Sequence, residues 1–145
     1  MAASDHLHPK QLSMFMPARE LYNMNPNPGD VKEEAHNRYW DSDDLPPEHT
    51  PEEEKQYMWD VKLSHTKEEA GSPEGWRAGG LHKAIAKEGV LEPVQIAHYS
   101  RDDAPHIMDG HHRVAAANDI NPDMEIPIQN HVINRNWKNK NAGDF

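Results

Sequence analysis

The run Asp109-Gly110-His111-His112-Arg113 places a carboxylate, a glycine, two imidazoles and a guanidinium in consecutive positions. Imidazoles exchange protons near neutral pH, donate hydrogen bonds or bind metals. A guanidinium matches the oxygens of a phosphate in bidentate fashion. The residues on either side imply a geometry. Ile107-Met108 reads as the end of a strand, and Val114-Ala115-Ala116-Ala117 as the body of a helix. A helix start presents free backbone N–H groups and the positive end of its dipole, which favours anions. Gly110 lets the backbone come close to a ligand. The turn therefore suits a phosphate-bearing ligand held by Gly110, His111, His112 and Arg113. His111 or His112 would donate a proton or a hydrogen bond. Asp109 would orient them, act as a general base, or hold a divalent ion such as Mg²⁺. The plainer alternative is a capped helix with Arg113 in a structural ion pair. A metal held by His106, Asp109, His111 and His112 is a further alternative. Adjacent histidines on a turn diverge, so no metal site is assigned.

The surrounding elements must position this turn. Leu81, Ala84 and Ile85 lie at helical spacing, and Gly89 is a C-cap. Pro93-Val94-Gln95-Ile96-Ala97 alternates as a strand, and Pro105 to Met108 forms a second. Ser100 to Ala104 and Asn121-Pro122-Asp123 are turns. A helix spans about His112 to Asn118, and Glu125 to Gln129 is a third short strand. This order gives an α+β pattern.

The N-terminal half is less organised. Gln11 to Leu21 reads as a short strand stopped by the turn Asn25-Pro26-Asn27-Pro28-Gly29. Val31 to Trp40 forms a short helix. Asp41 to Pro47 is an acidic loop. Thr50 caps a helix with Pro51 in its first turn and Glu53 completing a capping box. That helix runs to about Leu63, and Ser64 to Gly75 is a polar linker. Trp40, Tyr57, Trp59 and Trp76 are read as core or partner-contact residues. His36, His49, His65 and His82 are read as solvated or packing residues. Residues 1–75 thus form a strand, helix and acidic loop-rich extension packed on the same domain as residues 76–130. Residues 131–145 form a basic tail bearing Arg135, Trp137, Lys138 and Lys140.

Composition narrows the function. The chain has 145 residues and twelve prolines, 35% of it is hydrophobic, and its mean hydropathy is −1.02. A modest core follows. There is no cysteine, which excludes a disulfide framework, a cysteine nucleophile and cysteine-ligated zinc. No apolar stretch is long enough to span a bilayer, and Met1 to Lys10 has no signal-like apolar run. The expected location is cytoplasmic, or host cytoplasm if the chain is phage-encoded. The net charge is −10. That disfavours tight non-specific DNA binding, which needs Lys and Arg on phosphates.

Two blocks resemble the ParB/sulfiredoxin family. Leu81 to Ile96 is similar to the family's helix followed by Gly-Val-x-x-Pro-Val. Asp109 to Ala117 is similar to its Gly-(Glu/His)-(Arg/His)-Arg box with an alanine-rich helix. Ile126-Pro127-Ile128 matches the strand that follows, and Asn25-Pro26-Asn27-Pro28 resembles its Asn-Pro turn. The resemblance covers the C-terminal third, and the short motif looks most like stand-alone ParB-like proteins of actinobacteria and their phages. It implies a small mixed sheet with packed helices, and phosphate contacts from Gly110, His111, His112 and Arg113. Family members include CTP-binding partition proteins, ParB-like nucleases, a free-serine kinase and sulfiredoxin. Sulfiredoxin chemistry needs a cysteine, which this chain lacks. The residues after Arg113 are too few for a DNA-reading helix-turn-helix domain.

Three functions follow. The first is binding of a nucleotide or nucleic-acid phosphate, with nuclease or nucleoside triphosphatase activity. The second is a phage-type adaptor or inhibitor that grips a host protein through the acidic N-terminal half, with Asp41 to Asp44 and Glu52 to Glu54 as a DNA-like surface. The third is a small-molecule kinase with Glu88 or Glu92 as its carboxylate.

Overall fold

The computed structural model describes residues 14–40, 50–72, 77–99 and 104–133, with the backbone alone described for 37–40 and 99. The elements run β1 (Phe15–Pro17), α1 (Ala18–Asn23), α2 (Pro28–Trp40), α3 (Pro51–Lys67), α4 (Leu81–Glu88), β2 (Val94–Tyr99), β3 (His106–Asp109), α5 (His111–Ile120) and β4 (Glu125–Ile133). The α+β expectation holds. Among the described residues, there are five helices and a mixed sheet of four strands.

The sheet order is β1-β4-β2-β3. β4 lies parallel to β2 and antiparallel to β1, and β3 pairs antiparallel with β2. The parallel pair needs a crossover, and β3 with α5 supplies it. β1 is shorter than the strand expected over residues 11–21. Ala18-Arg19-Glu20-Leu21 are good helix formers and turn the chain directly into α1. β4 runs on to Ile133, so residues 131–133 belong to the sheet and not to a tail. The tail residues Arg135, Trp137, Lys138 and Lys140 lie outside the described residues, as do Asp41 to Asp44, His49, Trp76 and residues 100–103 of the expected turn.

α5 is the central helix. Val114, Ala115, Ala116 and Ala117 are all buried, and the helix packs against α1, α3 and α4. Four consecutive buried residues cover nearly a full turn, so the middle of this helix is enclosed on all sides. Alanine lets the neighbouring helices approach its axis closely. The motif alone suggests that these alanines serve helix–sheet packing, but α5 meets chiefly other helices. Leu21 of α1, Met58 and Trp59 of α3, Ile85 of α4 and the sheet residues Val94, Ile96, Ile107 and Ile126 complete one core. The N-terminal helices therefore share the core of the C-terminal half.

The capping box at α3 forms as expected. Thr50 Oγ1 accepts from the Glu53 amide at 3.1 Å, and Glu53 Oε1 accepts from the Thr50 amide at 2.9 Å. The helix runs past Leu63 to Lys67. Its buried positions are Met58, Trp59, Lys62 and Thr66, a single face that includes two polar residues. Thr66 hides its hydroxyl by donating to the Leu63 carbonyl at 2.7 Å.

Candidate functional site

Local irregularity at the end of β3 builds the turn. Ile96 pairs with Ile107, yet Gln95 pairs with Asp109, so the register shifts by one residue. Regular alternation would put Asp109 on the same buried face as Ile107. The bulge breaks that alternation, and both Met108 and Asp109 are exposed. Gly110 then takes φ 110° and acts as N-cap of α5. A Cβ there would lie 2.9 Å from Val94 Cγ2 and 3.3 Å from Val94 Cα. The close approach that glycine permits is thus to β2, whereas residue type alone points to a ligand. Gly110 has no side-chain oxygen, and α5 has no side-chain N-cap bond. The helical ladder begins only with the Val114 amide on the Gly110 carbonyl, at 3.0 Å. The chain leaves the first-turn amides of α5 without a side-chain cap.

These residues open on a cleft of about 800 Å³. Leu81, Ala84 and Ile85 of α4, then Val90 and Leu91, supply apolar lining together with Met108. Asp30 and Glu33 come from α2, Lys62 from α3, and Arg77 from the segment before α4. Glu88 and Glu92, the carboxylates singled out from sequence, line the same cleft as the Asp109–Arg113 turn. Among the described lining residues, five carboxylates (Asp30, Glu33, Glu88, Glu92, Asp109) face three cations (Lys62, Arg77, Arg113).

The motif side chains have separate partners. His111 is buried, and its Nε2 accepts from the Asn27 amide at 3.0 Å. An amide only donates, so Nε2 is unprotonated and the proton of the neutral ring sits on Nδ1. Nδ1 points toward Asp30 Oδ2, 3.7 Å away. Burial lowers the His111 pKa, with Lys62 adding to this and Asp30 opposing it. His111 thereby fastens the Asn25–Asn27 segment, which also receives the Ile107 amide on the Asn25 carbonyl at 2.9 Å. The segment expected as an Asn-Pro turn is a bridge from Asn25 to His106 followed by two irregular residues before α2, and α1 stands between it and the first strand.

His112 Nε2 lies 3.2 Å from His65 Nδ1 on α3, with the ring centroids 5.4 Å apart. Burial, helped by the nearby charge of Lys62, lowers the His112 pKa to about 4. Arg113 Nη1 donates to the carbonyls of Glu92 and Pro93 at 3.1 and 2.7 Å. Its Nη2 is 3.5 Å from Asp109 Oδ2. The guanidinium joins the entry of β2 to the start of α5. A bound phosphate would meet its Nη2 edge, shared with the largely exposed Asp109 carboxylate.

Residue types alone do not reveal the charged group beside the turn. Lys62 Nζ, on the buried face of α3, lies 3.0 Å from Asp30 Oδ1 and 3.5 Å from Glu34 Oε2. Asp30 and Glu34 are one helical turn apart on α2, and Lys62 follows Trp59 by one turn on α3. Those spacings were the available signal. Among the described residues, no group of three or more His, Asp or Glu is placed to hold a metal ion. His106, Asp109, His111 and His112 do not converge, because the two α5 histidines face different neighbours. Among the described residues, no helix is long and apolar enough to cross a membrane. Comparison of the chain with models of known families, with curated proteins and with solved structures gives no match.

Proposed function

We propose that this is a ParB/sulfiredoxin-like protein that binds a nucleotide or nucleic-acid phosphate at the Gly110–Arg113 turn and hydrolyses a phosphate ester there. The observation that carries the reading is the uncapped first turn of α5 opening into the cleft. Amides at a helix start favour anions, and Arg113, Arg77 and Lys62 add positive charge around them. A small nucleotide suits the cleft better than duplex DNA. The chain carries a net charge of −10, and carboxylates outnumber cations in the lining. The same excess argues that a triphosphate arrives as its Mg²⁺ complex, which lowers the repulsion. In this reading the α5 amides and Arg113 hold phosphate, His112 donates or accepts a hydrogen bond, and Asp109 orients water. His111 is the scaffold that keeps the turn in place.

Isothermal titration with CTP, ATP and a short DNA duplex, with and without Mg²⁺, tests this. Arg113→Lys keeps a cation and loses the planar fork. The reading expects nucleotide binding that weakens in the variant while circular dichroism stays native. Equal affinity of wild type and variant removes Arg113 from the site. A second reading, phosphoryl transfer to a small hydroxylated acceptor, is favoured by Glu88 and Glu92 lining the same cleft. Transfer of the γ-phosphate of ATP to free serine separates it from hydrolysis, which releases only inorganic phosphate.

A further inference from the structure

The contact between His65 and His112 links the cleft to a helix that the motif does not include. We infer that His65 is a positioning residue that sets which nitrogen of His112 carries the proton presented to the cleft; this rests on the phosphate-binding reading above.

His65 Nδ1 and His112 Nε2 face each other 3.2 Å apart, within hydrogen-bond reach. Only one proton fits between them. If His65 Nδ1 carries it, His112 Nε2 accepts and His112 Nδ1 must be the N–H of the neutral ring. If His112 Nε2 carries it, His112 Nδ1 is left as a bare acceptor. The two rings are thus locked to complementary tautomers, and the state of one dictates the other. His112 also lines the cleft, and Nδ1 is the ring nitrogen that His65 leaves free. The tautomer of His65 is therefore tied to whether His112 Nδ1 is a donor or an acceptor.

The surroundings keep His112 neutral so that this choice matters. Facing it are Lys62 and His65 of α3, Asp30 of α2 and its neighbour His111. Glu88 and Glu92 line the same cleft from α4 and the segment after it. Burial and Lys62 oppose a second proton, and Asp30 only partly offsets them. A neutral imidazole without a partner exchanges its proton between both nitrogens. His65 limits that freedom, because the packing of α3 on α5 brings its Nδ1 within 3.2 Å of His112 Nε2.

The test uses the full chain with ¹⁵N-labelled histidine. Long-range ¹H–¹⁵N spectra at neutral pH report each imidazole tautomer directly. The wild type should show His65 and His112 in complementary tautomers, with one proton between His65 Nδ1 and His112 Nε2. His65→Ala should average the two nitrogens of His112, while His65→Asn, whose amide reaches the place of Nδ1, should restore a single form. CTP with Mg²⁺ is then titrated into all three. His65→Ala should bind about tenfold more weakly, the scale of one hydrogen bond to a charged group, and His65→Asn close to wild type. Thermal unfolding checks that the variants remain folded. An unaveraged His112 in His65→Ala overturns the inference, as does averaging with unchanged affinity. If the wild type does not bind CTP, the phosphate-binding reading and the ligand role of His112 fail together, whereas the spectra still decide whether His65 sets the tautomer.

Discussion

Replacing Gly110 by alanine probes the joint between β2 and the α5 turn. Two costs arise. The backbone at φ 110° lies in the left-handed region, where an L-residue is disfavoured by roughly 1–2 kcal/mol. The new methyl would sit 2.9 and 3.2 Å from the two Val94 methyls and 3.3 Å from the Val94 α-carbon. Val94 is fully buried, so its methyls have no open space to move into. Overpacking of this kind costs about 1–3 kcal/mol. The sum is about 2–5 kcal/mol, read as a shift of the urea midpoint at unchanged slope. A double-mutant cycle separates the two costs. Val94→Ala removes the two methyls but leaves the backbone strain and the close approach to the Val94 main chain. Gly110→Ala with Val94→Ala should be less destabilised than the sum of the singles by about 1 kcal/mol. A Gly110→Ala loss below about 0.5 kcal/mol, the scale of a neutral surface change, would refute the reasoning, and strict additivity would refute its steric half.

Further expectations concern the charged and capped positions. Lys62→Ala leaves Asp30 and Glu34 side by side without their cation, and should cost about 3–5 kcal/mol as a broken buried pair; a chemical denaturation midpoint close to wild type would show the pair to be idle. Thr50→Ala removes one half of the capping box and should cost about 1 kcal/mol in the same assay, with little change at the cleft in amide spectra. For pH, unfolded His112 titrates near its ordinary 6.5 and the folded group near about 4. Its neutral burial therefore stabilises fully above 6.5, and that stability is lost as pH falls from 6.5 toward about 4. His111 acts in the same direction. Urea midpoints measured down this window should decline, and His112→Asn should flatten the decline; an unchanged slope in the variant contradicts the assignment.

The elements that flank the turn could be read from residue types, for physical reasons. Gly89 and Gly110 punctuate the chain at positive φ, so the ends of α4 and β3 could be placed on residue type alone. The Thr50–Glu53 box is a local interaction and needed no tertiary information. The end of α3 was hidden because Ser64, His65, Thr66 and Lys67 are polar. Their helix persists through contacts distant in sequence. His65 meets His112, and Lys67 lies 3.5 Å from Asp119, which also takes a 2.8 Å contact from His82. Lys62 was hidden likewise, since a lysine on a helix resembles a solvated residue until Asp30 and Glu34 are brought to it. Arg113 showed the opposite problem. Its type suggested phosphate, and its local sequence could not reveal the carbonyls of Glu92 and Pro93 that hold it.

Whether the uncapped first turn of α5 receives phosphate can be read from its own amides. The ¹⁵N-labelled chain is titrated with Mg²⁺ and CTP and followed through backbone amide resonances. Phosphate held at this turn predicts saturable downfield shifts of the His111, His112 and Arg113 amides, with smaller shifts at Arg77 and Gly89 in the cleft wall. Amides of the exposed α3 face around Glu52 should stay fixed. Saturable binding that leaves the three α5 amides unmoved, or no shift at all up to millimolar nucleotide, would contradict it.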